Sequence, residues 1–289
     1  MTALNRFYKG KAIVITGAAS GIGLALAQCF ASLGACLALS DIDSDGLDSV
    51  TENLKEQNPD LRIFSSSFDV ASTADWRSFL ASAQSALGQI DVLINNAGIE
   101  GSSRPVWATD EGTLQRVMNV NFFGMVYGTK TALPYLVKRD WAALVNVSSI
   151  FGLIGPPNAA DYAASKFAIR GYTESLHAEL SQIHPQVQVH LVHPGGINTR
   201  ITRLKQSQKF KSEFLKTPPS ALAEVIATSV MRNRARIVYG HQSTIVKLAS
   251  RIMPLAWLSH VISQQMQKLN MTEDYQKDHS GFRLKDNDS

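Results

Sequence analysis

Lys11-Ala12-Ile13-Val14-Ile15-Thr16-Gly17-Ala18-Ala19-Ser20-Gly21-Ile22-Gly23 decides the fold. Its first half is a short apolar, β-branched run that Gly17 stops, and from Gly21 to about Leu33 apolar residues recur at helical spacing. The order is strand, glycine turn, helix. Outward from this turn the alternation repeats. Strands are expected at Ala35 to Ser40, Leu61 to Phe68, Asp91 to Asn95, Ala142 to Val147 and Val187 to His193. Between them helices are expected at Ser44 to Gln57, Thr73 to Leu87, inside 110–138, and from near Asp161. Strands that are apolar at every position belong in a parallel sheet covered on both faces by helices. The expected fold class is therefore α/β, a doubly wound, Rossmann-like parallel sheet. It is read as one domain over 1–240 with a helical extension and polar tail over 241–289.

Composition agrees with a packed core: of 289 residues 45% are hydrophobic and 18% charged, with no internal repeat and no low-complexity tract. The opening Met1-Thr2-Ala3-Leu4-Asn5-Arg6-Phe7 lacks the basic-then-apolar order of a signal peptide, so a cytoplasmic location is expected. Cys29 and Cys36 have no neighbouring histidine or second cysteine pair, and they read as buried free thiols rather than metal ligands. No metal is expected.

The formal net charge of +4 conceals an asymmetry: residues 1–199 carry 13 basic and 17 acidic side chains, residues 200–289 carry 15 and 7. A basic C-terminal third can meet a solvated surface, an anionic substrate handle or anionic lipid. Beyond 199 a basic segment runs to Lys216, then a helix from about Pro219 to Met231 and a short strand at Arg236 to Tyr239. From about Gln242 to Leu269 apolar residues recur at near-helical spacing, with Pro254 as a kink. Its longest charge-free stretch, Ile252 to Gln267, is too short and too polar for a convincing membrane span. Packing on the lid or against another subunit is the first expectation for this segment, and peripheral contact with an anionic membrane the second. Residues 273–289 are expected to be frayed.

The glycine turn has a chemical use. Gly17 can make the tight turn, Gly21 lets the backbone approach a pyrophosphate, and Gly23 lets helix and strand pack closely. Around them Ser20 and Ile22 open a helix whose free N–H groups and dipole suit phosphates. Asp41 closes the second strand roughly 20 residues on, where a carboxylate can bond the ribose hydroxyls and repel a 2′-phosphate. With no arginine or lysine beside Asp41 or in the turn, NAD is favoured over NADP.

Three residues rather than one separate the first two glycines, and this spacing resembles the short-chain dehydrogenase/reductase family. Further motifs carry the resemblance across residues 11–199. Asn95-Asn96-Ala97-Gly98 ends the fourth strand, as the family's sheet-steadying motif does. Asp69-Val70 sits where relatives touch adenine. Pro194-Gly195-Gly196-Ile197-Asn198-Thr199 resembles the family's Pro-Gly turn, which implies nicotinamide contacts from Ile197 and Thr199. The cofactor residues so implied are Gly17, Ser20, Gly21, Ile22, Gly23, Asp41, Asp69, Val70, Asn96, Ala97, Gly98, Tyr162, Lys166, Ile197 and Thr199.

Hydride transfer to a carbonyl leaves an alkoxide that needs a proton. Tyr162 and Lys166, four apart, share one helix face, and a lysine cation can stabilise a phenolate that is otherwise too costly near neutral pH. On spacing alone a surface pair is the better reading; the context reverses it. Ser149, 13 residues before Tyr162, matches the family serine that bonds the substrate oxygen, with Ser148 as the neighbouring alternative. Asn121 matches the family's helix-bending asparagine of the proton relay, with Asn119 as the decoy. The expected catalytic set is Asn121, Ser149, Tyr162 and Lys166.

Substrate is expected at the loop Ile99 to Trp107, the turn Phe151 to Ala160, and the basic lid Arg200 to Lys216. Ile99, Trp107, Phe151, Leu153 and Ile154 are expected to form an apolar pocket for a lipophilic alcohol or ketone. The basic lid also fits a 3-oxoacyl-thioester reductase as runner-up, and a non-catalytic dinucleotide sensor or scaffold is the distant third. No nucleic-acid module is recognisable, and the resemblance implies a homodimer or homotetramer through the helices within 110–138 and 160–183.

Overall fold

The computed structural model describes residues 2–199 and 208–267. Its centre is a fully parallel sheet of β1 (Ala12–Thr16), β2 (Cys36–Ser40), β3 (Ile63–Ser65), β4 (Val92–Asn95), β5 (Ala142–Val147), β6 (Val187–Pro194) and β7 (Arg236–Tyr239). The spatial order is β3-β2-β1-β4-β5-β6-β7. In β1 every residue is buried, and successive side chains serve opposite faces. Ile13 and Ile15 join α2 (Gly21–Ser32), α3 (Ser44–Gln57) and α9 (Pro219–Met231), while Ala12 and Val14 join α4 (Thr73–Leu87), α6 (Gly124–Leu136) and α7 (Ala160–Ile183). This two-sided demand explains the continuous apolar strands. The short α1 (Ala3–Tyr8) packs on α9, where the buried Tyr8 hydroxyl donates to the Ala227 carbonyl.

Winding reverses between β1 and β4, which pair with Ile13 opposite Val92 while β2 lies on the other flank of β1. At such a reversal the loops leave in opposite directions and open a crevice at the carboxyl ends of the strands. The functional site lies there.

Three elements differ from the sequence reading. The third strand keeps only Ile63–Ser65, since it pairs with β2 alone, and Phe64 and Phe68 turn inward onto Phe79 of α4. The long helix within 110–138 is interrupted: α5 (Glu111–Met118) passes through a π-turn at Asn119–Phe123 before α6 begins. The helix over 242–269 is broken rather than kinked, into α10 (Ser243–Ile252) and α11 (Leu255–Gln267). Met253 is extended there, with φ −85 and ψ 133, because the following Pro254 disfavours helical backbone. The fraying expected over 273–289 falls outside the described residues. Both cysteines are free, Cys36 buried and Cys29 only half-buried.

Candidate active site

The glycine turn occupies the crevice. Gly17 and Gly21 have φ of +69 and +56, the left-handed region that glycine enters without a Cβ penalty. A Cβ on Gly23 would lie 1.9 Å from the Gly17 carbonyl oxygen, so the close approach of α2 to β1 requires glycine. β4 is stapled to this turn. The Thr16 hydroxyl accepts from the main-chain N–H of Asn96 and Ala97 at 3.1 and 3.0 Å, and the Asn96 amide donates to the Thr16 carbonyl at 2.9 Å. Ser20 stands at the start of α2 without a side-chain capping bond, so the first N–H groups of that helix keep their capacity for an anion.

Asp41 curls back over the turn: its carboxylate accepts from the N–H of Ala19 at 2.9 Å and of Asp43 at 3.1 Å, leaving lone pairs for a ligand hydroxyl. Asp69 is fixed likewise by the Ala71 N–H at 2.9 Å. The Pro-Gly turn brings Thr199 over the glycines, 3.3 Å from where a Cβ on Gly21 would stand. Glycine cradle, open helix start and distal carboxylate fit a dinucleotide.

At the other end of the crevice lies the titratable cluster. Tyr162 and Lys166 project from the first turns of α7, and Ser149, two residues past the end of β5, caps the 3-10 turn Ile150–Gly152. The Ser149 hydroxyl neighbours the Tyr162 hydroxyl and favours its ionised form. Burial pushes the Tyr162 phenol up to about 12 against the lowering effect of that neighbour. Lys166 is buried at 3% exposure, donates to the Val147 carbonyl at 3.2 Å, and lies 5.4 Å from the centre of the Tyr162 ring. Burial lowers its ammonium to about 8, so it is still mostly protonated at neutral pH. The sequence reading expects the lysine to lower the phenol; in this arrangement desolvation is the larger effect on both groups.

Ser148 is separated from Ser149 by its bond: its hydroxyl donates to the Lys166 carbonyl at 2.8 Å and so serves the helix backbone. Asn121 sits buried in the π-turn, whereas Asn119 is exposed. Both amide hydrogens of Asn121 are used, toward the Ile99 carbonyl and the Ser165 hydroxyl at 3.1 Å each, and its oxygen accepts from the Ile99 N–H at 2.8 Å. The side chain thus ties α5–α6 to the loop after β4 and to α7. A π-turn at a functional site is a recurrent device for such re-aiming.

The expected catalytic and cofactor residues all border one cavity of about 690 Å³ except Gly23 and Asn121, which support its wall from behind. Its apolar end is built by Ile99, Phe151, Ile154, Phe210, Phe214 and the inner faces of α10 and α11, with α8 (Gln208–Phe214) carrying Phe210 and Phe214. Two expected pocket residues are elsewhere. Trp107 lies on a surface 3-10 turn at 46% exposure, and Leu153 is buried at the end of the 3-10 turn Ile150–Gly152 without reaching the cavity. Of the basic cluster expected on the lid, Lys209 and Lys211 lie on α8, while Arg200, Arg203 and Lys205 fall outside the described residues.

Asp161 escaped the sequence reading, and His193, read there only as a structural residue at a strand end, supports Ser149 directly. Asp161 is 2% exposed, and its carboxylate accepts from the Tyr162 N–H at 2.7 Å and the Ser102 N–H at 2.6 Å. It clamps the loop after β4 to the start of α7, and only glycine fits at 101, where a Cβ would stand 2.1 Å from the carboxylate. His193 is fully buried, and its Nδ1 meets the Ser149 carbonyl at 2.8 Å, holding the serine's backbone. Burial lowers this imidazole to about 4, so it is neutral. Its position at a strand end is legible from sequence, but a long-range bond to Ser149 leaves no local signal. Among the described residues no group of three His, Cys, Asp or Glu side chains is placed to hold a metal ion.

A doubly wound sheet with a dinucleotide crevice and a Ser–Tyr–Lys cluster at its mouth defines the class of nicotinamide-type oxidoreductases. Comparison makes the assignment specific. The model of the short chain dehydrogenase family matches residues 11–209, and the chain belongs to the short-chain dehydrogenase/reductase family, oxidoreductases acting on CH–OH groups. It is 35% identical over 256 residues to a Mycobacterium tuberculosis protein described as "Putative oxidoreductase SadH", covering 85% of this chain and 92% of that one. An 11-beta-hydroxysteroid dehydrogenase A of Sesamum indicum is 33% identical over 236 residues, 78% of this chain and 66% of the relative. Among solved structures, a short chain dehydrogenase/reductase from Burkholderia phymatum in complex with NAD superposes with a TM-score of 0.78 at 25% identity, covering 85% and 93% of the two chains.

Proposed function

We propose that this enzyme interconverts a secondary alcohol and a ketone, or an alcohol and an aldehyde, on a lipophilic substrate, with NAD(H) preferred. One observation carries the reading: the Tyr162 and Ser149 hydroxyls neighbour each other, with the Lys166 ammonium 5.4 Å from the centre of the Tyr162 ring, where the cofactor crevice meets an apolar chamber. The dinucleotide, when bound, supplies or accepts the hydride. Ser149 and Tyr162 hold the substrate oxygen, and Tyr162 donates a proton to it in reduction and takes one in oxidation. Lys166 stabilises the phenolate left behind, and Asn121 holds the Ile99 loop and α7 in register so that these groups meet. Asp41 bears on cofactor choice, because its carboxylate leaves no room for a second anion on the ribose.

The chamber's phenylalanines, isoleucines and methionine favour an apolar body on the substrate over a sugar or a charged chain. For assembly we place the contact between copies on α5–α7, where Leu114, Phe123 and Phe167 are exposed. The test is cofactor absorbance with a panel of lipophilic secondary alcohols and ketones, NAD and NADP compared, and the matching 3-oxoacyl thioesters as a separate arm. Turnover of the free ketones with NADH, lost in Tyr162→Phe, is the expected result. Thioester turnover alone supports the runner-up, and activity unchanged in Tyr162→Phe overturns the assigned chemistry.

A further inference from the structure

We propose that the elbow between α10 and α11 is a docking surface for an anionic lipid bilayer. From Ile252 to Leu258 the sequence reads Ile-Met-Pro-Leu-Ala-Trp-Leu, apolar throughout. The fold leaves most of that run outside: Ile252, Leu255 and Trp257 are 69, 79 and 71% exposed. Leu248, one turn earlier on α10, extends the patch and is exposed as well. These are not residues awaiting a place in the core. The opposite faces of the two helices already supply Val246, Leu258, Ile262 and Met266 to the apolar cluster with Phe151 and Ile154. A contiguous apolar patch of this kind on a polar-rimmed element marks an interaction surface.

Charge selects the occupant. Between Glu224 and Glu273 the sequence carries no acidic residue and six basic ones, of which Lys247 and Arg251 flank the apolar elbow on α10. An isologous contact made by this segment would bring the cations of two copies together with no acidic residue on it to pair them. An anionic headgroup layer instead complements them, while the elbow enters the acyl boundary and Trp257 takes the interfacial position that its amphipathic ring favours. No helix among the described residues is long and apolar enough to cross a membrane, so the elbow lies in the interface. Leu255 and Trp257 do not line the cavity, and the docking surface stands whatever the substrate is. Only a corollary depends on the lipophilic reading above: α10 and α11 also wall the chamber, so docking would open it toward bilayer-dissolved substrate.

The experiment is flotation of the full-length protein with phosphatidylcholine vesicles and with mixed phosphatidylcholine–phosphatidylglycerol vesicles, at low and high salt. The wild type is expected to float with the mixed vesicles and to be released by salt. Leu255→Asp with Trp257→Asp should stay at the bottom of the gradient, while dinucleotide binding and the circular dichroism spectrum are unchanged. Trp257→Ser, a milder change, should lower partitioning about fivefold. Lys247→Gln with Arg251→Gln should lower it about thirtyfold. Wild type that floats with neither vesicle at low salt overturns the proposal, as does a double-aspartate variant that floats like wild type. So does sedimentation that shows the elbow dissociating a dimer while no vesicle is bound, which assigns the surface to a second copy. Because vesicle binding, folding and dinucleotide binding are read without turnover, failure of the substrate reading leaves this result intact.

Discussion

Asp161→Asn isolates the clamp between the loop after β4 and the start of α7. The substitution keeps the shape of the side chain but turns one of two acceptor oxygens into a donor. One of the two N–H groups, Ser102 at 2.6 Å or Tyr162 at 2.7 Å, then faces an NH₂ group in a pocket where residue 161 is 2% exposed. An unsatisfied buried donor costs about 1–2 kcal/mol at this degree of enclosure. Loss of a carboxylate from the first turn of α7 removes about 0.5–1 kcal/mol of interaction with the helix dipole. The sum, about 1.5–3 kcal/mol, is a large share of the stability of a single domain. Urea unfolding should therefore show that decrease. The same loss frees Ile99, Glu100, Gly101 and Ser103, which line the cavity, so KM for the ketone should rise about tenfold with a smaller change in kcat. Stability within about 0.5 kcal/mol of wild type and an unchanged KM would refute the reasoning, since the two N–H groups would then have other acceptors.

Titration gives a second prediction, with two opposite signs. Lys166 titrates near 8 in the folded protein and at 10.5 ordinarily, so between these values the unfolded chain binds more protons and stability rises with pH. Tyr162, at about 12 against 10.0, gives the opposite slope between pH 10 and 12. The difference between wild type and Lys166→Met in urea unfolding should therefore grow by about 1–3 kcal/mol in favour of wild type from pH 8 to 10. In reduction, kcat/KM should fall as pH passes about 8 and the ammonium is lost; a profile flat to pH 10 would sink the assignment. Asp41→Asn is expected to raise the NADPH-to-NADH ratio of kcat/KM at least about tenfold, read in parallel cofactor titrations; an unchanged ratio removes Asp41 from cofactor choice. Gly23→Ala places a Cβ 1.9 Å from a backbone oxygen and should abolish dinucleotide binding, by fluorescence titration, even where the protein still folds.

Much of this enzyme is legible in its sequence because the determinants are local. Period and punctuation placed β1, β2, β4, β5 and β6 within a residue or two, since an all-buried strand needs an apolar residue at every position. Gly17, Gly21 and Gly23 declare the turn because no other residue fits their φ values and contacts. Tyr162 and Lys166 share a face by helical geometry, though spacing alone made them a surface pair.

The tertiary structure decided what depends on distant partners. Ser149 separates from Ser148 only because one hydroxyl reaches Tyr162 and the other the Lys166 carbonyl, and Asn121 from Asn119 only because the π-turn buries one of them. Asp161 and His193 act through bonds spanning 59 and 44 residues of sequence, and no pattern along the chain encodes such closure. Trp107 and Leu153 have the right chemistry for the pocket but the wrong direction, which backbone geometry sets. At the α10–α11 elbow the sequence supplies apolar residues at helical spacing, and a helix has two sides: the fold chose which side packs on Phe151 and left Leu255 and Trp257 facing outward.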